Sequence, residues 1–340
     1  MFRLFVCLAK MPIMPILATL FYFLDQRVRK EGNCMNYEEF KKKMVEVVNG
    51  AFEDSGFSLV KTDPTILANG VKRETYMFCE TIHKKEKVVP IIYPEEEYKR
   101  FINFDMSFEE VMELLVTSLS KVGMGMKTQE QVDLKKLSDL NYVQNHIFVR
   151  VLNMDKNREL LKDIPHRTWN DLAVFCELIV MENPDGSFGS IKISDAILKA
   201  LGLSEDEMFE MAFENTQKDG FTVSPIETSH PLLALLTCEE VPMLVCTNEK
   251  GCKGANFILF DEQLKTISER LGGDFIILPS SIHEVICVPD NDEDHLFVEM
   301  VREVNQTAVE PHEVLSDTSY RYIAAEDKVV IMEPTNSAIE

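Results

Sequence analysis

The stretch from Phe260 to Asp290 constrains the fold most, because its helix and strand signals follow one another without conflict. Apolar residues recur at helical spacing in its first part, and Gly272-Gly273 predicts the helix end. The runs Phe275–Leu278 and Val285–Val288 are each closed by proline, which is typical of short buried strands. An amphipathic segment from Leu296 to Val304 follows. The order helix, strand, strand, helix predicts an α+β unit.

The rest of the chain mixes helix and strand signals in the same way. Further helices are predicted from Tyr37, after Ser107 and after Ser204, and Ser107 and Ser204 each have a glutamate at capping-box spacing. Predicted strands are 147–152, 172–181, 243–246, 255–260, 320–324 and 329–332, with turns at 183–186 and 249–254. Residues 121–139 lack a pattern and are predicted to be a hinge or surface loop.

These elements predict an α+β fold class, with mixed or antiparallel sheets and packed helices in two lobes. We place an N-terminal α+β lobe at residues 35–220, a C-terminal α+β lobe at 221–334 and a tail at 335–340. A chain of 340 residues is long enough to bury a substantial core.

Residues 1–34 differ from the body of the chain. Arg3 and Lys10 precede an uncharged run from Met11 to Leu24, as in a signal peptide or a short anchor, but two prolines interrupt the run and no cleavage site follows. Lys30-Glu31-Gly32 can be encoded by a purine-rich ribosome-binding sequence before Met35. We therefore expect residues 1–34 to be an overcalled start or a weak anchor.

The net charge of -22 argues against non-specific binding to nucleic acid, because phosphate repulsion is not offset. The eight cysteines lack the regular spacing of a disulfide scaffold, which predicts a reducing, cytoplasmic location. Cys238, Cys246 and Cys252 suggest zinc only weakly, since they contain no CxxC pair. We expect no metal and no cofactor, and no membrane association unless residues 1–34 are real.

Four blocks carry a family resemblance: IPHRTWNDLAVFCELIV, the helix containing FENTQ, LGGDFIILPSSIHEVICVPD, and MVREVNQTAVEPHEVLSDTSYRY. Together they resemble a bacterial family described as domain of unknown function 5688, from Met35 to about Met332. The most specific blocks are PSSIHEV and the REVN and VLSD segment near the C-terminus. The resemblance implies a shared α+β fold and supplies no catalytic residues.

Several known motifs are excluded by their spacing. LGGDFIIL is one acidic residue short of the diguanylate cyclase hairpin, and a deletion of one residue would turn later side chains to the opposite face. GMGMKT lacks the glycine spacing of a phosphate loop. His283-Glu284 lacks the second histidine of a zinc peptidase helix.

A nucleophile pocket is the remaining enzymatic possibility. Ser280 and Ser281 lie two or three residues before His283, and no GxSxG elbow supports a serine triad. Turn serines and a histidine at a strand edge are the structural alternative. The residues proposed for this pocket are Ser280, Ser281, His283, Glu284, His166 and Arg167.

Three functional hypotheses follow. The first is a non-enzymatic binding or regulatory module that has a protein partner and does not bind nucleic acid directly. The second is a hydrolase-like enzyme with Ser281, His283 and His166 near one pocket. The third is an acidic inhibitor that mimics nucleic acid, in which carboxylates would lie at the phosphate spacing of a duplex.

Overall fold

A computed structural model describes most of the chain. The described residues are 35–80, 90–103, 106–128, 139–182, 188–229, 242–290 and 294–332. Helices and antiparallel sheets both occur there, which confirms the predicted α+β class. The predicted leader at 1–34, the turn at 183–186 and the tail at 335–340 lie outside the described residues. No helix of the described ranges is long and apolar enough to cross a membrane.

The α-helices are distributed along the whole described chain. In chain order they are α1 Tyr37–Ala51, α2 Pro94–Asn103, α3 Phe108–Thr128, α4 Leu140–His146, α5 Asp195–Leu201, α6 Glu205–Asp219, α7 Ile226–Ser229, α8 Asp261–Leu271 and α9 Asp294–Thr307. Short 3-10 helices occur at Glu53–Ser55, Ala68–Gly70, Asp155–Asn157, Leu160–Asp163 and Gly254–Leu259.

The strands are mostly short. They are β1 Phe57–Lys61, β2 Thr65–Ile66, β3 Lys72–Arg73, β4 Tyr76–Glu80, β5 Ile91–Ile92, β6 Ile147–Asn153, β7 His166–Trp169, β8 Leu172–Glu182, β9 Phe188–Lys192, β10 Phe221–Pro225, β11 Leu244–Asn248, β12 Phe275–Leu278, β13 Val285–Pro289, β14 Tyr320–Ile323 and β15 Lys328–Ile331.

The chain forms two compact units. Residues 35–67 and 72–128 belong to the smaller unit, and residues 68–71 with the described residues from 139 onward belong to the larger one. The lobe boundary predicted at residue 220 lies inside the larger unit, between α6 and β10.

The smaller unit packs α1, α2 and α3 around an aromatic core. Its described strands pair as β1-β4-β5 and as β2-β3. A capping box starts α1, in which Asn36 Oδ1 accepts from the Glu39 N–H and the Glu39 carboxylate accepts from the Asn36 N–H. The buried face of α1 includes Phe40 and Val48, and the Phe40 ring meets Phe108 edge to face with centroids 5.4 Å apart.

The prediction of a hinge or surface loop at 121–139 is wrong for its first part, because helix α3 continues to Thr128. The capping box of Ser107 and Glu110 starts this helix as predicted. Glycines at 123 and 125 each cost only about 1 kcal/mol of helix propensity relative to alanine, which a long helix tolerates. Residues 129–138 lie outside the described range.

The larger unit contains two antiparallel sheets. In the first, the eleven-residue strand β8 pairs with β6, β7 and β9. In the second, the described strands follow the order β10-β11-β13-β12-β14-β15. The strands predicted at 147–152 and 172–181 and the hairpin predicted at 320–332 are thereby confirmed.

Helix α8 and strands β12 and β13 form as predicted for the Phe260–Asp290 stretch. Gly272 ends the helix in a left-handed conformation, with φ of 88°. Its N–H and that of Gly273 both bond to the Ser268 carbonyl, at 2.8 and 2.9 Å. Strands β12 and β13 then pair antiparallel, with Ile277 opposite Cys287.

The prediction of a strand at 255–260 is wrong, because Gly254–Leu259 is a 3-10 helix. Phe257 and Ile258 are buried in this helix, so their apolar pattern is explained by burial and not by extended structure. The Asn256 side chain donates to the Val149 carbonyl of β6 at 2.8 Å, which fixes the helix against the first sheet.

Candidate functional site: Cys252, His283 and Glu313

Two segments of the larger unit bring His283 next to Glu313. The Ile282 N–H donates to the Glu313 carbonyl at 2.9 Å, and Ser281 forms an isolated antiparallel bridge with Val314. His283 Nε2 therefore lies 3.2 Å from Glu313 Oε1. His312 Nε2 lies 3.7 Å from the same oxygen, so the Glu313 carboxylate faces two imidazole rings.

The backbone of His283 is fixed on its other side by the start of the 3-10 helix. The His283 carbonyl accepts from the Gly254 N–H at 2.9 Å and from the Thr247 hydroxyl at 2.7 Å. A Cβ atom at position 254 would lie 2.2 Å from Thr247 Oγ1, 2.4 Å from the Asn248 nitrogen and 2.9 Å from the His283 carbonyl oxygen. Only glycine fits this close approach of two backbones.

The loop between β11 and the 3-10 helix carries Cys252. The buried Asn248 side chain bonds both backbone groups of Cys252, since Oδ1 accepts from its N–H at 3.2 Å and Nδ2 donates to its carbonyl at 2.8 Å. Lys253 follows with a left-handed φ of 55°, and its N–H donates to His283 Nδ1 at 3.2 Å. These bonds hold the cysteine beside the imidazole.

The Cys252 thiol lies beside the His283 imidazole, because the next residue, Lys253, donates its N–H to His283 Nδ1. The imidazole lowers the pKa of Cys252, and the positive charges of Lys253 and Arg150 add to the effect against the opposing influence of burial. Cys252 and Glu313 together raise the pKa of His283 to about 9. The two shifts describe one shared proton, and they favour the thiolate and imidazolium pair.

One contact opposes the formation of the thiolate and imidazolium pair. The Lys253 N–H donates to Nδ1 of a neutral ring, and this bond is lost when Nδ1 is protonated. Hydrogen bonds between charged groups are roughly twice as strong as neutral ones. Cys252 and Glu313 both favour a charged His283 ring, and they act against this single neutral bond of 3.2 Å.

The three side chains are partly accessible to solvent. His283 and Glu313 keep 30% and 31% of their side-chain surface exposed, and Cys252 is half-buried. Cys176 and Cys287 are in contrast fully buried, and burial raises the pKa of both thiols. Cys252 therefore has an accessible thiol whose ionisation is favoured, which is the combination that reactive cysteines share.

The residues predicted for a serine pocket do not all contact one another, and each has its own partners. Ser281 and His283 are together, but the Ser281 hydroxyl accepts the backbone N–H of His283 at 3.1 Å, as in a turn. The Ser280 carbonyl accepts from the Leu315 N–H at 3.2 Å, and Glu284 is half-buried just before β13.

His166 and Arg167 are exposed residues of β7. His166 Nδ1 lies 2.8 Å from the Ile164 carbonyl. Arg167 donates to Asp206 at 2.7 Å, and its guanidinium lies 4.2 Å from the centroid of the Phe209 ring.

Cys252 and Glu313 were not among the residues proposed from the sequence for this pocket. One local signal was available for Cys252, since it lies between Lys250 and Lys253 in a loop with glycines at 251 and 254. Cationic neighbours are typical of a reactive thiol. Glu313 has no local signal, because its role depends on pairing between the 280–282 and 313–315 segments. The described residues contain no cluster of three or more His, Cys, Asp or Glu side chains that could hold a metal ion.

A family model matches the part of the chain that includes all three residues of this site. A model of a family of unknown function, DUF5688, matches residues 37–324. The chain belongs to this family. The resemblance drawn from the PSSIHEV and VLSD blocks is thus confirmed, and residues 1–34 lie outside the match. Comparisons with curated proteins and with solved structures found no match.

Proposed function

We propose that the protein is a thiol-dependent enzyme of acyl transfer, in which Cys252 is the nucleophile and His283 carries the proton. Glu313 is a positioning residue that orients the imidazole. The observation that carries the proposal is the placement of Cys252 beside His283, whose Nε2 lies 3.2 Å from Glu313 Oε1. A nucleophile, a base and a group that orients the base are the parts that such chemistry requires.

The proposed reaction needs no acid or base other than the Cys252 thiol and the His283 imidazole. The Cys252 thiolate adds to a carbonyl carbon, and the leaving group departs with the proton of the His283 imidazolium. The acyl group is then a thioester on Cys252. Water attacks this thioester and gives its proton to His283, the C–S bond breaks, and the thiolate and imidazolium pair is restored.

This proposal keeps the hydrolase alternative drawn from the sequence but changes its nucleophile. Ser281 uses its hydroxyl as an acceptor for a backbone N–H, whereas the neighbouring His283 favours ionisation of the Cys252 thiol. The same histidine therefore supports thiol chemistry better than serine chemistry. The hypotheses of a non-enzymatic binding module and of a nucleic-acid mimic are the alternatives against which the proposal is tested.

The test is acylation by p-nitrophenyl acetate, a generic activated ester, followed by mass spectrometry of the intact protein and of its peptides. We expect one acetyl group on the peptide that contains Cys252, with a burst of nitrophenol followed by slower turnover. In C252A both signals should disappear, and in H283Q the rate should fall by roughly a hundredfold or more. C79A, which removes another half-buried thiol, is the matched control and should behave like wild type.

Two results would overturn the proposal. Turnover that survives in C252A but is lost in S281A would assign the reaction to the serine. Acylation of Cys252 no faster than that of a small free thiol would remove the argument for activation and favour the binding hypothesis.

A further inference from the structure

The turn that carries Glu313 is held by the side chain of Asn69. Asn69 Nδ2 donates to the Pro311 carbonyl at 2.9 Å and to the Val314 carbonyl at 2.8 Å. These two acceptors lie on either side of Glu313 in the chain. One amide group therefore spans the turn, and it fixes the backbone both before and after the glutamate.

The Asn69 amide is oriented by Asn157. The Asn69 N–H donates to Asn157 Oδ1, and Asn157 Nδ2 donates to Asn69 Oδ1, both at 2.7 Å. Asn157 is 2% exposed, and its Nδ2 also donates to the Asn153 carbonyl at the end of β6, at 2.7 Å. Because Asn69 Oδ1 accepts from Asn157, the NH₂ group is the part of the amide that faces the turn.

Position 69 combines two requirements. Its backbone is left-handed, with φ of 58° and ψ of 22°, a conformation that few residues other than glycine adopt at low cost. Its side chain also provides the two N–H donors for the turn. Aspartate tolerates this backbone but has no such donors, and glutamine has the donors without the same tolerance. Asparagine meets both requirements, which explains why it occupies this position.

The Glu313 carbonyl, which lies between the two acceptors of Asn69, has a different partner. It accepts from the Ile282 N–H at 2.9 Å. Ile282 immediately precedes His283, so this bond places the Glu313 backbone next to the imidazole. Asn69 and Ile282 thus hold different carbonyls of the same turn, and Glu313 Oε1 lies 3.2 Å from His283 Nε2.

We infer that Asn69 is a positioning residue of the Cys252 site and that it acts through Glu313 on His283. This inference rests on the proposed function, in which Glu313 orients the imidazole. The bonds from Asn69 give the turn one shape, and that shape keeps the carboxylate against the ring. Supporting contacts of this kind determine how well a functional side chain keeps its geometry.

Two substitutions remove the donors of Asn69 without straining its backbone. N69D keeps the acceptor oxygen for Asn157 but places carboxylate oxygen against the carbonyls of Pro311 and Val314. N69G removes the side chain and keeps the freedom to adopt a positive φ. N170G makes the same exchange at another left-handed asparagine, with φ of 51°, and is the matched control. Circular dichroism checks folding, and N69D decides the question if N69G unfolds.

The readout is the titration midpoint of the His283 ring, measured by NMR of the histidine C–H groups and assigned with H283Q. Cys252 and Glu313 raise the pKa of His283 to about 9 in the wild-type protein. We expect N69D and N69G to lower this midpoint toward that of E313Q, whereas N170G should keep the wild-type midpoint. The double variant N69G/E313Q should titrate like E313Q alone, because Asn69 acts through Glu313 and the two effects are not additive.

Turnover of p-nitrophenyl acetate separates this inference from the proposed function. In N69D and N69G, kcat should fall to about the E313Q value with little change in KM, because no contact with the substrate is removed. A His283 midpoint equal to wild type in both variants, or a shift in N69G/E313Q that exceeds the shift in E313Q, would overturn the positioning role alone. A wild-type protein without turnover, in which N69D still lowers the His283 midpoint, would overturn the proposed function and support the action of Asn69 on His283.

Discussion

Asn248 holds the loop of Cys252 through both polar groups of the cysteine backbone, at 3.2 Å from its N–H and 2.8 Å from its carbonyl. Asn248 is 5% exposed, and its own backbone pairs with Phe221 across β10 and β11. The position of the thiol is thus determined by a buried amide at the end of a sheet strand. A nucleophile held in this way keeps its geometry without help from a substrate.

The first prediction concerns this amide. N248A should lower the free energy of unfolding by about 1–3 kcal/mol, because two hydrogen bonds are lost and the Cys252 backbone loses its buried partners. N248D keeps the acceptor for the Cys252 N–H and should retain more of the iodoacetamide reactivity than N248A. Urea unfolding and alkylation rates measure the two effects. Equal reactivity of wild type and N248A would show that the loop does not need Asn248.

The second prediction concerns the pH dependence of the thiol. His283 lowers the pKa of Cys252, so alkylation by iodoacetamide should persist to lower pH than for an ordinary thiol. In H283Q the midpoint of the rate profile should move up toward the ordinary thiol value. In E313Q the imidazolium loses one of its two anionic partners, so the midpoint should move in the same direction by less. A midpoint unchanged in H283Q would contradict the shared proton.

The third prediction concerns the close approach at Gly254. A methyl group there would meet Thr247 Oγ1 at 2.2 Å and the Asn248 backbone nitrogen at 2.4 Å, and the backbone nitrogen cannot turn aside like a side chain. G254A should therefore destabilise the fold by about 1–3 kcal/mol or more. G50A is the matched control, because no atom lies within 4 Å of its added methyl group in helix α1. It should be neutral or stabilising by up to roughly 1 kcal/mol. Thermal unfolding of both variants measures the contrast.

The fourth prediction concerns acid stability. Burial raises the pKa of Glu177, but Lys253, Lys192 and Arg150 lower it by more, so the folded value lies below the ordinary 4.5. A carboxyl with a depressed folded pKa contributes stability above its unfolded pKa, and this stability is lost as pH falls through the folded pKa.

E177Q should therefore be less stable than wild type by about 3 kcal/mol or more near neutral pH, and the difference should shrink in acid. E214Q breaks an exposed pair with Lys218 and should change stability by less than about 0.5 kcal/mol. Urea unfolding across the acid range provides the measurement. A difference between E177Q and wild type that does not depend on pH would contradict the assignment of the ionised carboxylate.

Local patterns were enough to predict most elements. The capping boxes of Ser107 and Ser204 form as expected, and Gly272 ends α8 in a left-handed conformation. These features depend on residues within one or two turns of each other, so the sequence contains all the information that they need. The wrong prediction of a strand at 255–260 has another cause. A short buried apolar run has the same pattern in a strand and in a 3-10 helix.

The candidate site illustrates what local patterns do not contain. Cys252, His283 and Glu313 are separated by about thirty residues each along the chain. Their approach depends on the Gly254 contact with the His283 carbonyl and on the bond between Ile282 and Glu313. The serines beside His283 were visible as neighbours in sequence, but proximity in sequence did not reveal that Cys252 also lies beside the imidazole.

Composition and local patterns were sufficient to predict the α+β class, the family, most helix and strand positions and the acidic charge of the chain. These properties are sums of local preferences and composition, which do not require knowledge of distant contacts. Contacts between distant segments alone bring a cysteine in a turn, a histidine before a strand and a glutamate near the C-terminus into one site. The physical reason is that hydrogen bonds and charge interactions act over a few ångströms in space, whatever the separation along the chain.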